Sequence, residues 1–175
     1  MKAIACVDMR TNGIGANGEL LYHIKKDMTR FKSLTENGTV IMGRLTQESL
    51  PIKKLVNRKN IVLTRTELTS SDPDIEYVSN IMDEVVLKYF EDDNAFVIGG
   101  EEVYKQLVPL CTHVYITKVI TNNTLNIKPD KFFPKLLEEY WEIVDNSSLY
   151  HDEDTGLLYQ FLTYRNKNRC FPRHN

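Results

Sequence analysis

A chain of 175 residues with 42% hydrophobic and 26% charged residues has the length of one domain and the composition of an ordinary globular protein. Its formal net charge of −2 provides no general attraction for nucleic acid or an anionic membrane, and no run approaches a signal-peptide core or a membrane span. Cys6, Cys111 and Cys170 are an odd number, far apart and without a CxxC pair, so a cytoplasmic globule is expected, with neither a disulfide framework nor a metal site.

The opening run Lys2-Ala3-Ile4-Ala5-Cys6-Val7-Asp8 predicts a strand over 2–8. Gly13-Ile14-Gly15-Ala16-Asn17-Gly18 then matches G-x-G-x-x-G. In a dinucleotide-binding fold the helix begins inside that motif, whereas Asn17-Gly18-Glu19 starts a helix poorly and Met9-Arg10-Thr11-Asn12 separates the glycines from the strand. The segment is therefore read as a flexible glycine loop within a lid over 9–23. A helix is predicted over 25–36. Ile24, Asp27, Met28, Phe31 and Leu34 take the i, i+3, i+4, i+7 spacing of a buried face, and Lys25, Lys26, Arg30, Lys32 and Glu36 cover the other side. Asp27 thus stands in an apolar stripe. An acid in a first turn complements the helix dipole. A carboxylate on an apolar face also needs a partner that offsets its desolvation, such as a cationic or multiply hydrogen-bonding ligand. Both readings are open at this point.

Further along, strands are predicted over 39–43, 59–64, 75–78, 95–98, 113–119, 140–148 and 157–164, with helices over 44–50, 81–90 and 101–108. Alternating strands and helices imply crossover units and a mainly parallel sheet. No helix separates the last two strands, and His151-Asp152-Glu153-Asp154-Thr155-Gly156 reads as a turn, so they form an antiparallel hairpin at one end. The expected class is α/β, a single domain over 1–165. Arg165 to Asn175 carries four Lys/Arg and no acid, and 166–175 is read as a flexible polar tail.

Three further segments carry a resemblance. Val40-Ile41-Met42-Gly43-Arg44-Leu45-Thr46-Gln47-Glu48-Ser49 runs from strand to helix with a basic residue at the turn. Asn57-Arg58-Lys59-Asn60-Ile61-Val62-Leu63-Thr64-Arg65 repeats that geometry. Val97-Ile98-Gly99-Gly100-Glu101-Glu102-Val103-Tyr104 is a strand, two glycines and a helix. Together with Gly15 and the Asp27 helix, in order from about Ile4 to Tyr164, they resemble dihydrofolate reductase.

The resemblance implies an eight-stranded, mostly parallel sheet with four helices, NADPH as hydride donor and 7,8-dihydrofolate as acceptor. It makes Asp27 the acid that binds the pterin's 2-amino and ring N–H groups, steadied by Thr117. Ile4, Ala5, Cys6 and Leu20 would line the folate slot with Met28, Phe31, Leu50, Leu55 and Ile98, although plain core packing accounts for most of these equally well. Arg58 would take the carboxylate of the folate tail, or be a solvated loop charge. On the cofactor side the implied contacts are Ala5, Ile14 and Gly15 near the lid. Gly43, Arg44, Leu45 and Thr46 follow one strand, and Leu63, Thr64 and Arg65 the next, with Arg44 and Arg65 placed for the adenosine 2′-phosphate. Ile98, Gly99, Gly100, Glu101, Glu102, Val103 and Tyr104 complete the set. The resemblance also implies a cis peptide between Gly99 and Gly100.

The chain departs from that pattern in two places. Leu21-Tyr22 stands where the family usually has proline-tryptophan; the Tyr22 phenol is expected to hold an ordered water near the pterin, which makes it a catalytic candidate. Glu101 and Glu102 are acidic near the expected pyrophosphate, although acids suit a helix N-terminus. The family reading further implies a monomer that binds antifolates. Two alternatives are the riboflavin-pathway reductase, which shares the fold but is not expected to have the Asp27 helix, and a noncatalytic NADPH-binding protein.

Overall fold

The computed structural model describes residues 1–121 and 127–169. The chain starts in β1 (Lys2–Asp8), then β2 (Gly13–Ala16), β3 (Glu19–Leu20), α1 (Lys25–Thr35), β4 (Thr39–Gly43), α2 (Arg44–Ser49), β5 (Lys59–Leu63) and β6 (Ile75–Val78). It continues through α3 (Glu84–Leu87), β7 (Ala95–Gly99), α4 (Glu101–Leu107), a 3-10 turn (Val108–Leu110) and β8 (His113–Ile120). The last elements are β9 (Lys131–Phe132), β10 (Trp141–Asn146), β11 (Tyr150–His151) and β12 (Leu158–Asn166).

Among the described residues the main sheet follows the order β10-β12-β8-β1-β7-β4-β5-β6, with β11 added to β12. The pairs β8-β1, β1-β7, β7-β4, β4-β5 and β5-β6 are parallel, and β12 is antiparallel to both β8 and β10. This is the expected α/β sheet with antiparallel strands at its C-terminal edge. The central strands are apolar on both faces because crossover helices cover both sides. Ile41 and Ile61 point into a core shared with Ala3, Val97, Tyr104 and Leu107, while Val40, Met42 and Val62 point the other way, against Leu50, Leu55 and Ile98.

Three local expectations change. The glycine-rich segment is a hairpin rather than a loop. Asn17 and Gly18 both have positive φ (54° and 83°) between the paired residues Ala16 and Glu19, the two-residue turn that Asn-Gly favours. A Cβ on Gly15 would lie 2.9 Å from the Glu19 carbonyl oxygen, so close strand packing explains that glycine. β9 pairs with the far side of β2, making a separate three-stranded sheet with β3.

The helix expected over 81–90 shortens to α3. Asn80 accepts from the Met82 N–H at 2.8 Å and Asp83 from the Val85 N–H at 3.0 Å, so local side-chain bonds delay the helix start. The last strand runs to Asn166, two residues past its expected end. Asn166 is buried and donates to the carbonyls of Pro109 (3.1 Å) and Cys111 (3.0 Å), and Arg169 reaches Glu91 at 3.0 Å. The tail expected over 166–175 lies outside the described residues from Cys170 onward.

Candidate active site

α1 begins at Lys25 without a side-chain cap and ends where Asn37 turns to positive φ. Its buried stripe is Ile24, Asp27 and Thr35, flanked by half-buried Arg30, Phe31 and Leu34. Met28, expected on that stripe, is 46% exposed, and Arg30, expected on the solvent side, turns toward the sheet. The stripe centres between Asp27 and Phe31, a rotation that 3.6-residue periodicity allows and that spacing alone does not resolve.

Asp27 is 8% exposed, and its Oδ1 accepts a 2.5 Å hydrogen bond from the Thr117 hydroxyl. Thr117 pairs in register with Cys6 across β8 and β1, so the carboxylate lies over that strand pair. Burial raises the Asp27 carboxyl above its ordinary value, opposed by the Thr117 hydrogen bond and by the Arg30 charge. Burial, and then the Asp27 charge, hold the Cys6 thiol well above its usual range, so it is neutral.

Of the other residues expected in the folate slot, Ile4 and Ala5 are buried in β1, Phe31 is half-buried on α1, and Leu50, Leu55 and Ile98 are half-buried against Val40, Met42 and Val62. Leu20 is 52% exposed, so with Met28 it leaves apolar side chains open to solvent near the lid and α1. Arg58 is not a solvated loop charge. It is buried, donates to the Thr35 hydroxyl at 2.9 Å and the Val56 carbonyl at 2.6 Å, and reaches the Lys32 carbonyl at 3.3 Å. Its guanidinium is thereby held at the carbonyl end of α1, where a cation is favoured.

A second cluster gathers where β4 and β7 run into α2 and α4. The Gly99–Gly100 peptide is cis, as the sequence pattern implies. A Cβ on Gly100 would lie 3.2 Å from the Thr46 hydroxyl, and one on Gly43 would lie 3.2 Å from Val103 Cγ2. A side chain at either position would fit only if its neighbour shifted by a few tenths of an ångström, so the backbone is closely packed where these two helices begin. Gly43 and Gly100 are also their N-caps, with no side-chain cap hydrogen bond. Gly43 pairs in register with Leu63, so Arg44 and Thr64 leave adjacent strands at the same level. Arg44 pairs with Glu48 at 2.5 Å, and Arg65 and Leu45 are exposed. Glu101 and Glu102 both pair with Lys105, at 3.0 and 2.9 Å, so one cation offsets part of their combined charge. Tyr104 is core: its ring packs against Gly99, and its hydroxyl donates to the Ile4 carbonyl at 2.7 Å. Ile14 is half-buried and Gly15 buried in β2.

Tyr22 is buried with Ile24, Val119 and Tyr159, and its hydroxyl donates to Asp8 Oδ2 at 2.7 Å. The phenol proton is thus committed to Asp8. Asp8 also accepts from the hydroxyls of Thr121 (3.1 Å) and Thr11 (2.9 Å) and from the N–H groups of Arg10 and Thr11. Burial pushes the Asp8 carboxyl up, but these donors outweigh it and hold it below its ordinary value. The sequence reading missed both Asp8 and Arg30. An acid closing a strand before a lid, and a base three residues after a buried acid, were the available signals.

A family model described as dihydrofolate reductase matches residues 1–166. The chain is 35% identical over 160 residues to the dihydrofolate reductase of Bacillus subtilis (strain 168), covering 89% of this chain and 88% of that one. It is 34% identical over 155 residues to that of Neisseria gonorrhoeae, covering 88% and 91%. With the dihydrofolate reductase of Mycobacterium leprae (strain TN) the identity is 33% over 156 residues, covering 88% and 91%.

Proposed function

Since the chain belongs to the dihydrofolate reductase family, we propose that it reduces 7,8-dihydrofolate to 5,6,7,8-tetrahydrofolate with NADPH as hydride donor. The observation that carries this reading is the buried Asp27 carboxylate. Thr117 holds one of its oxygens, and no other donor among the described residues hydrogen-bonds the carboxylate. A buried carboxylate with spare acceptor capacity suits a flat ligand that offers adjacent N–H donors and gains positive charge as it reacts.

The second cluster fits the cofactor. Gly43, Gly99 and Gly100 supply backbone that a diphosphate can approach, and the uncapped N–H groups beyond them favour an anion. Arg44 and Arg65 follow adjacent parallel strands and are assigned to the 2′-phosphate; Arg44 must then exchange its exposed pairing with Glu48. When bound, NADPH supplies the hydride that reaches pterin C6. The chain's own residues do the rest. Asp27 orients the ring and stabilises its protonated form, Thr117 orients Asp27, and Arg58 holds the tail carboxylate with the guanidinium N–H groups it has left. Burial makes the Cys6 thiol a weak acid that holds its proton, and the proton at N5 is assigned to water admitted under the lid.

The Tyr22 phenol acts on the lid through Asp8, which pins it, rather than by donating to the pterin. We assign the protein to the cytoplasm as a monomer, consistent with free thiols at Cys6 and Cys111. Loss of NADPH absorbance with and without dihydrofolate tests the reaction. Oxidation that requires dihydrofolate is the expected result, and tight NADPH binding without turnover would refute it.

A further inference from the structure

Arg30 is the charged side chain near the site that the proposed reaction leaves unused. It follows Asp27 by three residues on α1 and faces the same sheet. Its guanidinium carbon lies 4.5 Å from the ring centroid of Phe161 and 5.4 Å from that of Tyr115. Those rings flank Thr117. Phe161 is its cross-strand partner in β12, and Tyr115 precedes it by two residues on β8, hence on the same face. Thr117 in turn donates to Asp27, so carboxylate and guanidinium stand side by side over one patch of two strands.

They are neighbours without being an ion pair: no Arg30 nitrogen lies within 4.0 Å of a carboxylate oxygen among the described residues. Nη1 is buried with no hydrogen-bond partner, so aromatic faces rather than an acceptor at that nitrogen hold the head in place. A cation fixed in this way keeps its full charge for the nearest anion.

We propose that Arg30 is a positioning residue: a cation caged by Tyr115 and Phe161 that opposes proton uptake at Asp27 and so sets the pH range of the site and its grip on protonated ligands. The neighbourhood of the two charges stands on the placement of Arg30 against the rings that flank Thr117; its catalytic consequence rests on the proposed reduction of dihydrofolate.

The other groups around Asp27 are Cys6 from β1, Tyr104 from α4 and Tyr159 from β12. Burial raises all three above their usual values, so they are neutral over the working range. Arg30 itself is faced by Asp27, by Tyr115 on β8 and by Asp145 on β10. Among these groups Arg30 is the single formal positive charge. An opposite charge within about 4–6 Å shifts a carboxylate by about one unit or more, and less where it lies farther off or solvent screens it.

The test compares Arg30→Met, which keeps the stem and removes the charge, with Arg30→Lys, which keeps the charge. In the ligand-free protein the Asp27 carboxyl is titrated by carbon NMR. Arg30→Met should raise its midpoint by about 0.5–1 unit, and Arg30→Lys should leave it close to the parent. The alkaline limb of dihydrofolate reduction should move up by the same amount in Arg30→Met. Affinity for a protonated 2,4-diaminopyrimidine should rise by roughly 3–10-fold, the same shift read as an equilibrium constant. If Arg30→Met does not fold, Arg30→Gln is read by the same midpoint. An unmoved midpoint in a folded variant, or equal shifts in Arg30→Met and Arg30→Lys, overturns the proposal. A moved midpoint in a protein that does not reduce dihydrofolate upholds the coupling and refutes the proposed function instead.

Discussion

Replacing Asp27 with Asn exchanges a charged oxygen for a nearly isosteric amide and leaves the neighbours in place. Thr117 can still donate to the amide oxygen, so α1 should stay seated over β1 and β8. The ligand loses a charge-assisted hydrogen bond worth about 1.5–3 kcal/mol, or roughly 10–150-fold in affinity for a protonated pterin analogue. Turnover should fall further, by about 10²–10⁴-fold, because the charge acts most strongly when the ring is protonated. Stability should move the other way. Burial raises the Asp27 carboxyl in the fold, so the native state binds more protons than the unfolded chain above the ordinary carboxylate range. Asp27 therefore weakens the fold as pH rises through that window, a penalty still present at neutral pH, and Asn removes it. Steady-state NADPH oxidation across pH, with thermal unfolding of both proteins, checks both signs. Lower pH should partly restore the variant, since substrate protonated in solution no longer needs the carboxylate. A folded Asp27→Asn protein with near-parental turnover at neutral pH would refute the assignment. A marked loss of stability would instead make Asp27 a structural helix-start acid.

Arg44→Ala should cost NADPH about 1.5–3 kcal/mol of binding and leave NADH nearly unaffected; equal losses in titrations of the two cofactors would place Arg44 elsewhere. Arg58→Lys should weaken full-length folate while leaving a pterin without the glutamate tail unchanged, because lysine keeps the charge but loses the planar fork; comparable losses for both ligands would make Arg58 a structural clamp on α1. Tyr22→Phe removes one of two donors to Asp8 Oδ2 and should cost about 1 kcal/mol in denaturant unfolding at neutral pH. The Asp8 carboxyl is held low in the fold, so its stabilisation is present above the unfolded carboxylate value and lost as pH falls through the folded one; the Tyr22→Phe deficit should shrink over that same acid range, and a deficit independent of pH would exclude the Asp8 bond as its cause.

Elements defined by apolar periodicity were legible in the sequence. β1, β4, β5 and β7 are short, largely apolar runs, and their burial on both faces follows from the crossovers that join them. Local polar chemistry is where that reading slipped. The glycine motif suggests a flexible stretch at Asn17-Gly18, but Asn-Gly between short runs is itself a hairpin signal, and the structure forms that hairpin. The helix expected over 81–90 lost its first turn because Asn80 and Asp83 spend their side chains on nearby N–H groups, a competition that an apolar count does not register.

The candidate site divides along similar lines. A carboxylate in an apolar stripe was visible from helix period alone, and Asp27 is buried as that period requires. Period does not say where the stripe is centred, however, and a rotation of part of one residue step decides whether Met28 or Arg30 meets the sheet. Tyr115 and Phe161 decide it. They come from strands far apart in the chain, their register is set by β8 pairing with β12, and together they offer two π faces that accept a guanidinium. Tyr22 illustrates the same dependence on partners. Its place at the base of the lid could be read from its neighbours in sequence, but the acceptor for its hydroxyl could not, because Asp8 and Thr121 meet only when β1 and β8 pair side by side. Residue types that need burial announce themselves locally, whereas the partners that set a charge or hold a hydroxyl are supplied by strand register, which a single sequence encodes only through the whole fold.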